Sequence, residues 1–101
     1  MAKLTVTARI LPDGRAFTVN GPEAWALLEL MRAGSKGCTP IGNPGPRWSG
    51  YVFNLKSDHG LNIDTRHEFH RGDFPGTNAR NVLHNAVEIV SRSDQPEMAA
   101  A

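Results

Sequence analysis

Between Leu30 and Ser57 the chain carries Arg32, Lys36, Arg47 and Lys56 and no aspartate or glutamate. A basic stretch without acidic relief presents a positive field, and a phosphate polyanion is its natural partner. Arg47 has the fork to contact a phosphate or the O6 and N7 atoms of guanine, and Asn54 has the amide to pair bidentately with adenine. Ser49 and Gly50 are small enough for close backbone approach, and Lys56 adds a second cation. Further along, Arg66, Arg71 and Arg80 are offset by Asp64, Glu68 and Asp73, so that region is close to neutral. His67 and His70 add charge there only when protonated.

Other chemistries find less support. His67-Glu68-Phe69-His70 falls short of a helical zinc motif, which needs two histidines four residues apart. Together with His59 and His84 these residues make a metal cluster conceivable, but the expectation is no metal or other cofactor. Cys38 has Lys36 nearby, but no motif supplies an orienting base, so a passive thiol is expected rather than a nucleophile. Gly42 and Gly45 make no phosphate loop, because no strand precedes them and no Gly-Lys-Ser/Thr follows. The expectation is a protein without catalytic activity.

The elements that must carry these residues follow from periodicity. Leu4, Val6, Ala8 and Ile10 alternate with polar residues, Pro12-Asp13-Gly14 is a turn, and Ala16 to Val19 are β-prone, which predicts a hairpin over 3–20. A helix is expected over 22–33, opened by Pro22 and Glu23 and stopped by Gly34. Its apolar face is Ala24, Leu27, Leu28 and Met31, widened by Trp25 and Leu30, and reads as core. Residues 34–46 hold four glycines and three prolines and admit no ordinary helix. A second helix is expected over 46–57, with Trp48, Tyr51, Val52 and Leu55 inward and Arg47, Ser49, Gly50, Phe53, Asn54 and Lys56 on the other face. Phe53 is unusual there: it can touch a thymine methyl, fill an interface pocket or, as the plainest expectation, lie under the N-terminal hairpin. Residues 61–90 read as a second hairpin, with a loop at 71–78 and one return strand over 79–90. Residues 91–101 read as a frayed tail.

The chain has 101 residues, enough for one domain, with 11 basic and 10 acidic residues for a net charge of +1. That balance excludes a polycation that binds by charge excess alone. With 40% apolar and 21% charged residues the composition is that of an ordinary globular domain. A single cysteine excludes an internal disulfide and a cysteine-based zinc finger. The N-terminus has no apolar signal core, and the stretch from Ala24 to Met31 is too short to span a bilayer, so a cytoplasmic protein without a membrane partner is expected.

Several segments together carry a family pattern. Ala26-Leu27-Leu28 opens the first helix, Arg47-Trp48-Ser49 starts the second and Leu55 closes it. Gly60-Leu61-Asn62-Ile63-Asp64-Thr65 begins the hairpin, and Ala79-Arg80-Asn81-Val82-Leu83 returns it. Over residues 22–84 this resembles the small winged helix-turn-helix proteins of bacteriophages, prophages and bacteria. Two departures stand out. The usual middle helix corresponds to Thr39 through Gly45, which is rich in helix breakers, and Asn81 stands where an aromatic is common.

The resemblance implies an α+β fold: a winged helix with an additional N-terminal β-hairpin that completes the sheet or pairs with a partner chain. It further implies a double-stranded DNA-binding protein, a phage or mobile-element factor acting in transcription regulation or as an accessory. The second helix would enter the major groove and the hairpin, or wing, would reach the neighbouring backbone. Arg47, Ser49, Asn54 and Lys56 are the expected helix contacts, with Arg66, Arg71 and Arg80 on the wing. The alternative is a protein-interaction module that binds and inhibits a host protein. A homodimer is compatible with either reading.

Overall fold

The computed structural model describes residues 4–39, 47–70 and 76–94. Strands β1 (Thr5–Ile10) and β2 (Ala16–Asn20) form the expected antiparallel hairpin, in register from Thr5 opposite Asn20 to Arg9 opposite Ala16. The period of two sends Val6, Ala8 and Val19 into the core. It leaves Thr7 and Thr18 outside, where their hydroxyls hydrogen-bond across the strands at 3.0 Å. The hairpin does not stand alone. A third strand, β5 (Val87–Arg92), pairs with the free side of β1 and gives the order β2-β1-β5.

That strand revises two expectations from sequence. Residues 79–90 are not one return strand, and the tail does not begin at residue 91. The return strand β4 (Gly76–Leu83) stops before His84, where Asn85 Oδ1 accepts the Asn62 N–H at 2.6 Å and Ala86 O accepts the Leu11 N–H at 2.8 Å. The chain then turns away to β1. Ser91 and Arg92 belong to β5, and the Ser93 N–H donates to Thr5 O at 2.9 Å. A bulge opposite Thr7 and Ala8 leaves Val90 out of register and exposed.

Helix α1 (Gly21–Ala33) starts with Pro22 in its first turn and stops at Gly34, whose N–H returns to Leu30 O. Its deepest positions are Ala24, Ala26, Leu27 and Leu30. Trp25, Leu28 and Met31 lie at the margin of the core rather than at its centre. After one 3-10 turn (Gly34–Lys36), Gly37 takes φ 75° and ψ 177°, a region open essentially to glycine. A Cβ there would meet Asn81 O and Val82 Cγ2, each at 2.8 Å. The close pass lets Cys38 pair with Asn81 through two backbone hydrogen bonds of 2.8 Å, a one-residue third strand beside β4.

Helix α2 spans Trp48–His59, two residues later at each end than expected, with Arg47 as its N-cap and Gly60 closing it in the left-handed region. Trp48, Tyr51, Val52 and Leu55 are buried, and Trp48 packs on Trp25 with ring centroids 5.3 Å apart. Phe17 of β2 stacks on His59 at 4.7 Å, tying the first sheet to the far end of α2. Burial of Leu27, Leu30 and Leu55 stabilises the arrangement by roughly 1.5–3 kcal/mol each. Strands β3 (Ile63–His70) and β4 then form the second hairpin, in register from Ile63 opposite Leu83 to His70 opposite Gly76. No helix among the described residues is long and apolar enough to cross a membrane.

Candidate nucleic-acid interface

Because α2 buries Trp48, Tyr51, Val52 and Leu55, its outward line is set by the helical repeat: Ser49, Phe53, Lys56 and Ser57 are all exposed. Arg47 stands exposed at the N-terminal end of that line. Across from it lies one face of the β3–β4 hairpin, to which Thr65 and His67 contribute from β3 and Ala79 and Asn81 from β4. Helix and hairpin enclose an open groove of about 700 Å³. No acidic side chain among the described residues lines it. Among the described residues, neither Arg47 nor Lys56 pairs with a carboxylate, so both retain their full field at the surface.

The floor of the groove explains the departure at Asn81. Its side chain is buried and accepts the Thr65 hydroxyl at 2.8 Å, while its backbone pairs with Cys38. A buried amide that is hydrogen-bonded in this way satisfies the position that an aromatic would otherwise fill.

The residues singled out in the sequence divide into those that meet and those that do not. Arg47, Ser49 and Lys56 line the groove together. Asn54 does not: its Nδ2 donates to Glu23 Oε2 at 2.6 Å, a partly buried bond that holds α2 to the first turn of α1. Its amide is therefore committed within the fold rather than presented to an adenine. Arg66 and Arg80 are register partners on β3 and β4, one position away from the groove-lining residues, so they occupy the opposite face of the hairpin. There Arg66 Nε donates to Asp64 at 3.1 Å and Arg80 Nη1 donates to Lys36 O at 2.8 Å. Arg80 borders a second, smaller groove with Glu29, Arg32 and Lys36. Arg71 lies outside the described residues.

Phe53 corrects a further expectation. It does not lie under the N-terminal hairpin; it is 67% exposed and lines the groove. Thr65, His67 and Ala79 were not foreseen as part of the site, although the strand period offered the signal. Ile63 is apolar, and residues 65 and 67 share its face.

The remaining chemistry is quiet. Burial pushes the Cys38 thiol up to about 11, with Glu29 adding to the rise and Arg32 and Arg80 opposing it, so the thiol stays protonated at neutral pH. Residues 67–70 form part of β3 rather than a helix, so they lack the backbone of the zinc motif. Among the described residues no group of three histidine, cysteine or acidic side chains is placed to hold a metal.

Comparison with known proteins fits this arrangement of two helices and a hairpin. A family model for winged helix domains matches residues 16–93, from β2 through the end of β5. No curated protein and no solved structure matches the chain in the same way. The match covers well over half of the 101 residues and takes in α1, α2 and the β3–β4 hairpin, so the chain belongs to the winged helix domain family.

Proposed function

We propose that the protein binds double-stranded DNA through the α2–hairpin groove and acts by positioning and readout rather than by catalysis. The observation that carries this reading is that Arg47 and Lys56, on the outward line of α2, meet no carboxylate among the described residues and share a groove that none of the described acidic residues lines. A 12-residue helix is about 18 Å long and the B-form major groove is about 12 Å wide, so α2 suits insertion there. Arg47 and Lys56 then lie near the two ends of the inserted line, placed for phosphates on either side. The hairpin flanks the entry as the wing does in this family. Among the described residues, the N-terminal sheet supplies none to the lining of the groove.

The likeness to phage and prophage proteins in residues 22–84 supports a role as a regulator or accessory factor of a phage or mobile element. The test is fluorescence anisotropy with a labelled mixed-sequence duplex between ~50 and ~200 mM salt. Binding that weakens steeply with salt is the expected result, and replacing Arg47 and Lys56 with alanine should lower the slope by about 2. Absence of salt-sensitive binding would defeat the proposal. A second reading, docking and inhibition of a host protein, draws on the exposed Phe53 ring, because solvent-facing aromatics are frequent anchors at protein interfaces. Salt-indifferent binding to such a partner would favour it.

A further inference from the structure

A surface that contacts only phosphate needs cations and hydrogen-bond donors, and gains nothing from an exposed phenyl ring. Yet Phe53 stands in the middle of the outward line of α2, four residues after Ser49 and three before Lys56. It is 67% exposed, with Val52 and Ala79 as apolar neighbours in the groove wall and Arg47 and Lys56 as its cations. The cationic setting disfavours a purely apolar partner and favours an anionic one that carries apolar points. In the major groove of duplex DNA the apolar group on the base edges is the C5-methyl of thymine. Asn54, the other residue of α2 suited to reading an A·T pair, is bonded to Glu23 at 2.6 Å.

We infer that Phe53 is a specificity-determining residue that packs on thymine C5-methyl groups and biases the surface toward A·T-containing duplex. This rests on the DNA-binding reading above. The carrying observation is the placement of an exposed aromatic at the centre of a helix line bounded by cations that meet no carboxylate among the described residues.

Replacing thymine with uracil removes the methyl and leaves the hydrogen-bonding edges unchanged, which isolates the proposed contact. The 101-residue chain is titrated against a random-sequence duplex pool and against the same pool made with deoxyuridine. The wild type should bind the thymine pool about fourfold more tightly for each methyl buried. Phe53→Ala should bind both pools alike, and Phe53→Leu should restore part of the preference. Lys56→Ala should weaken both pools by the same factor and keep their ratio. Circular dichroism spectra that match the wild type check that the substitutions at this exposed position leave the fold intact.

Equal binding of wild type to both pools, with salt-sensitive affinity retained, overturns the thymine contact and leaves the DNA reading standing. A preference that survives in Phe53→Ala overturns the role of Phe53. Failure to bind either pool in a salt-sensitive manner removes the DNA reading and this inference with it, and points to a protein partner for the ring.

Discussion

On the three-stranded sheet, Arg9 lies 2.5 Å from Glu88 and Arg92 lies 2.7 Å from Asp94, whereas Arg47 and Lys56 at the groove meet no carboxylate among the described residues. The Arg92 guanidinium holds the Asp94 carboxyl below the usual carboxylate range, and Asp94 raises the arginine in return. The two regions carry similar numbers of cations and present very different fields. A net charge of +1 therefore says little about where a polyanion can bind. What matters is which cations the fold neutralises and which it leaves facing outward.

The sharpest way to break this contrast is to delete cations from each side separately. Arg47→Ala with Lys56→Ala should weaken DNA binding by up to about a hundredfold at low salt and flatten its salt dependence. Arg9→Ala with Arg92→Ala should leave affinity within about twofold and change stability little, because both pairs are exposed to solvent. Anisotropy titrations at several salt concentrations give both comparisons. Equal losses from the two double variants would show that net charge, not pairing, governs binding.

A second test moves the wall of the groove instead of its charges. Gly37→Ala puts a side chain where φ is 75° and where the backbone of β4 lies 2.8 Å away. The expected cost is about 2–3 kcal/mol, read as a lower midpoint in urea unfolding. The loss should be concentrated near β4, so hydrogen exchange should rise in β3 and β4 more than in β1 and β2. Uniform acceleration would mean that the two sheets unfold as one unit.

A smaller effect is expected at Asn54, where binding and stability pull apart. Asn54→Ala removes the bond to Glu23 and should destabilise the fold by about 1–2 kcal/mol. DNA affinity at temperatures well below unfolding should barely change. A large, sequence-dependent loss of affinity with stability intact would restore Asn54 as a reader of bases.

These cases mark how far the sequence reaches. The two faces of α2 are legible because Trp48, Val52 and Leu55 repeat at the helical period, and the same period placed Ser49, Phe53 and Lys56 opposite them. Strand alternation carries a like signal, since residues 65 and 67 share the face of Ile63, although the site expected from sequence did not include them. Neither period names the neighbour that a side chain will meet. Asn54 meets Glu23 from 31 residues away, Arg80 meets the Lys36 carbonyl from 44, and Thr5 meets Ser93 from 88. Each is a local polar residue with an ordinary solvent-facing reading until tertiary structure supplies its partner. The break between β4 and β5 escaped notice for the same reason. The apolar residues from Val82 to Val90 resemble one strand, and the turn depends on Asn85 receiving the distant Asn62 N–H.

Arg66 offers a way to convert one kind of cation into the other. The Arg66 hydrogen bond is the main cause holding Asp64 below the ordinary carboxylate range, and His84 lies 3.8 Å from the same carboxyl oxygen. Because the folded pKa is lowered, the small stabilisation is present above the unfolded value near 3.9 and disappears only as pH falls through the lower folded value. Acid would thus free Arg66 only where DNA itself is perturbed, so substitution is the usable route. Asp64→Asn should release Arg66, raise affinity by about two- to fivefold at low salt and steepen the salt slope by up to about 1. The paired control is Glu88→Gln, which frees Arg9 on the three-stranded sheet and should leave the slope unchanged. A gain from Asp64→Asn alone would show that the hairpin, including its face opposite the groove, lies within reach of the phosphate backbone while the three-stranded sheet stays off the DNA path. Equal gains from both variants would mean that any freed cation suffices, and the distinction between the two regions would lose its physical basis.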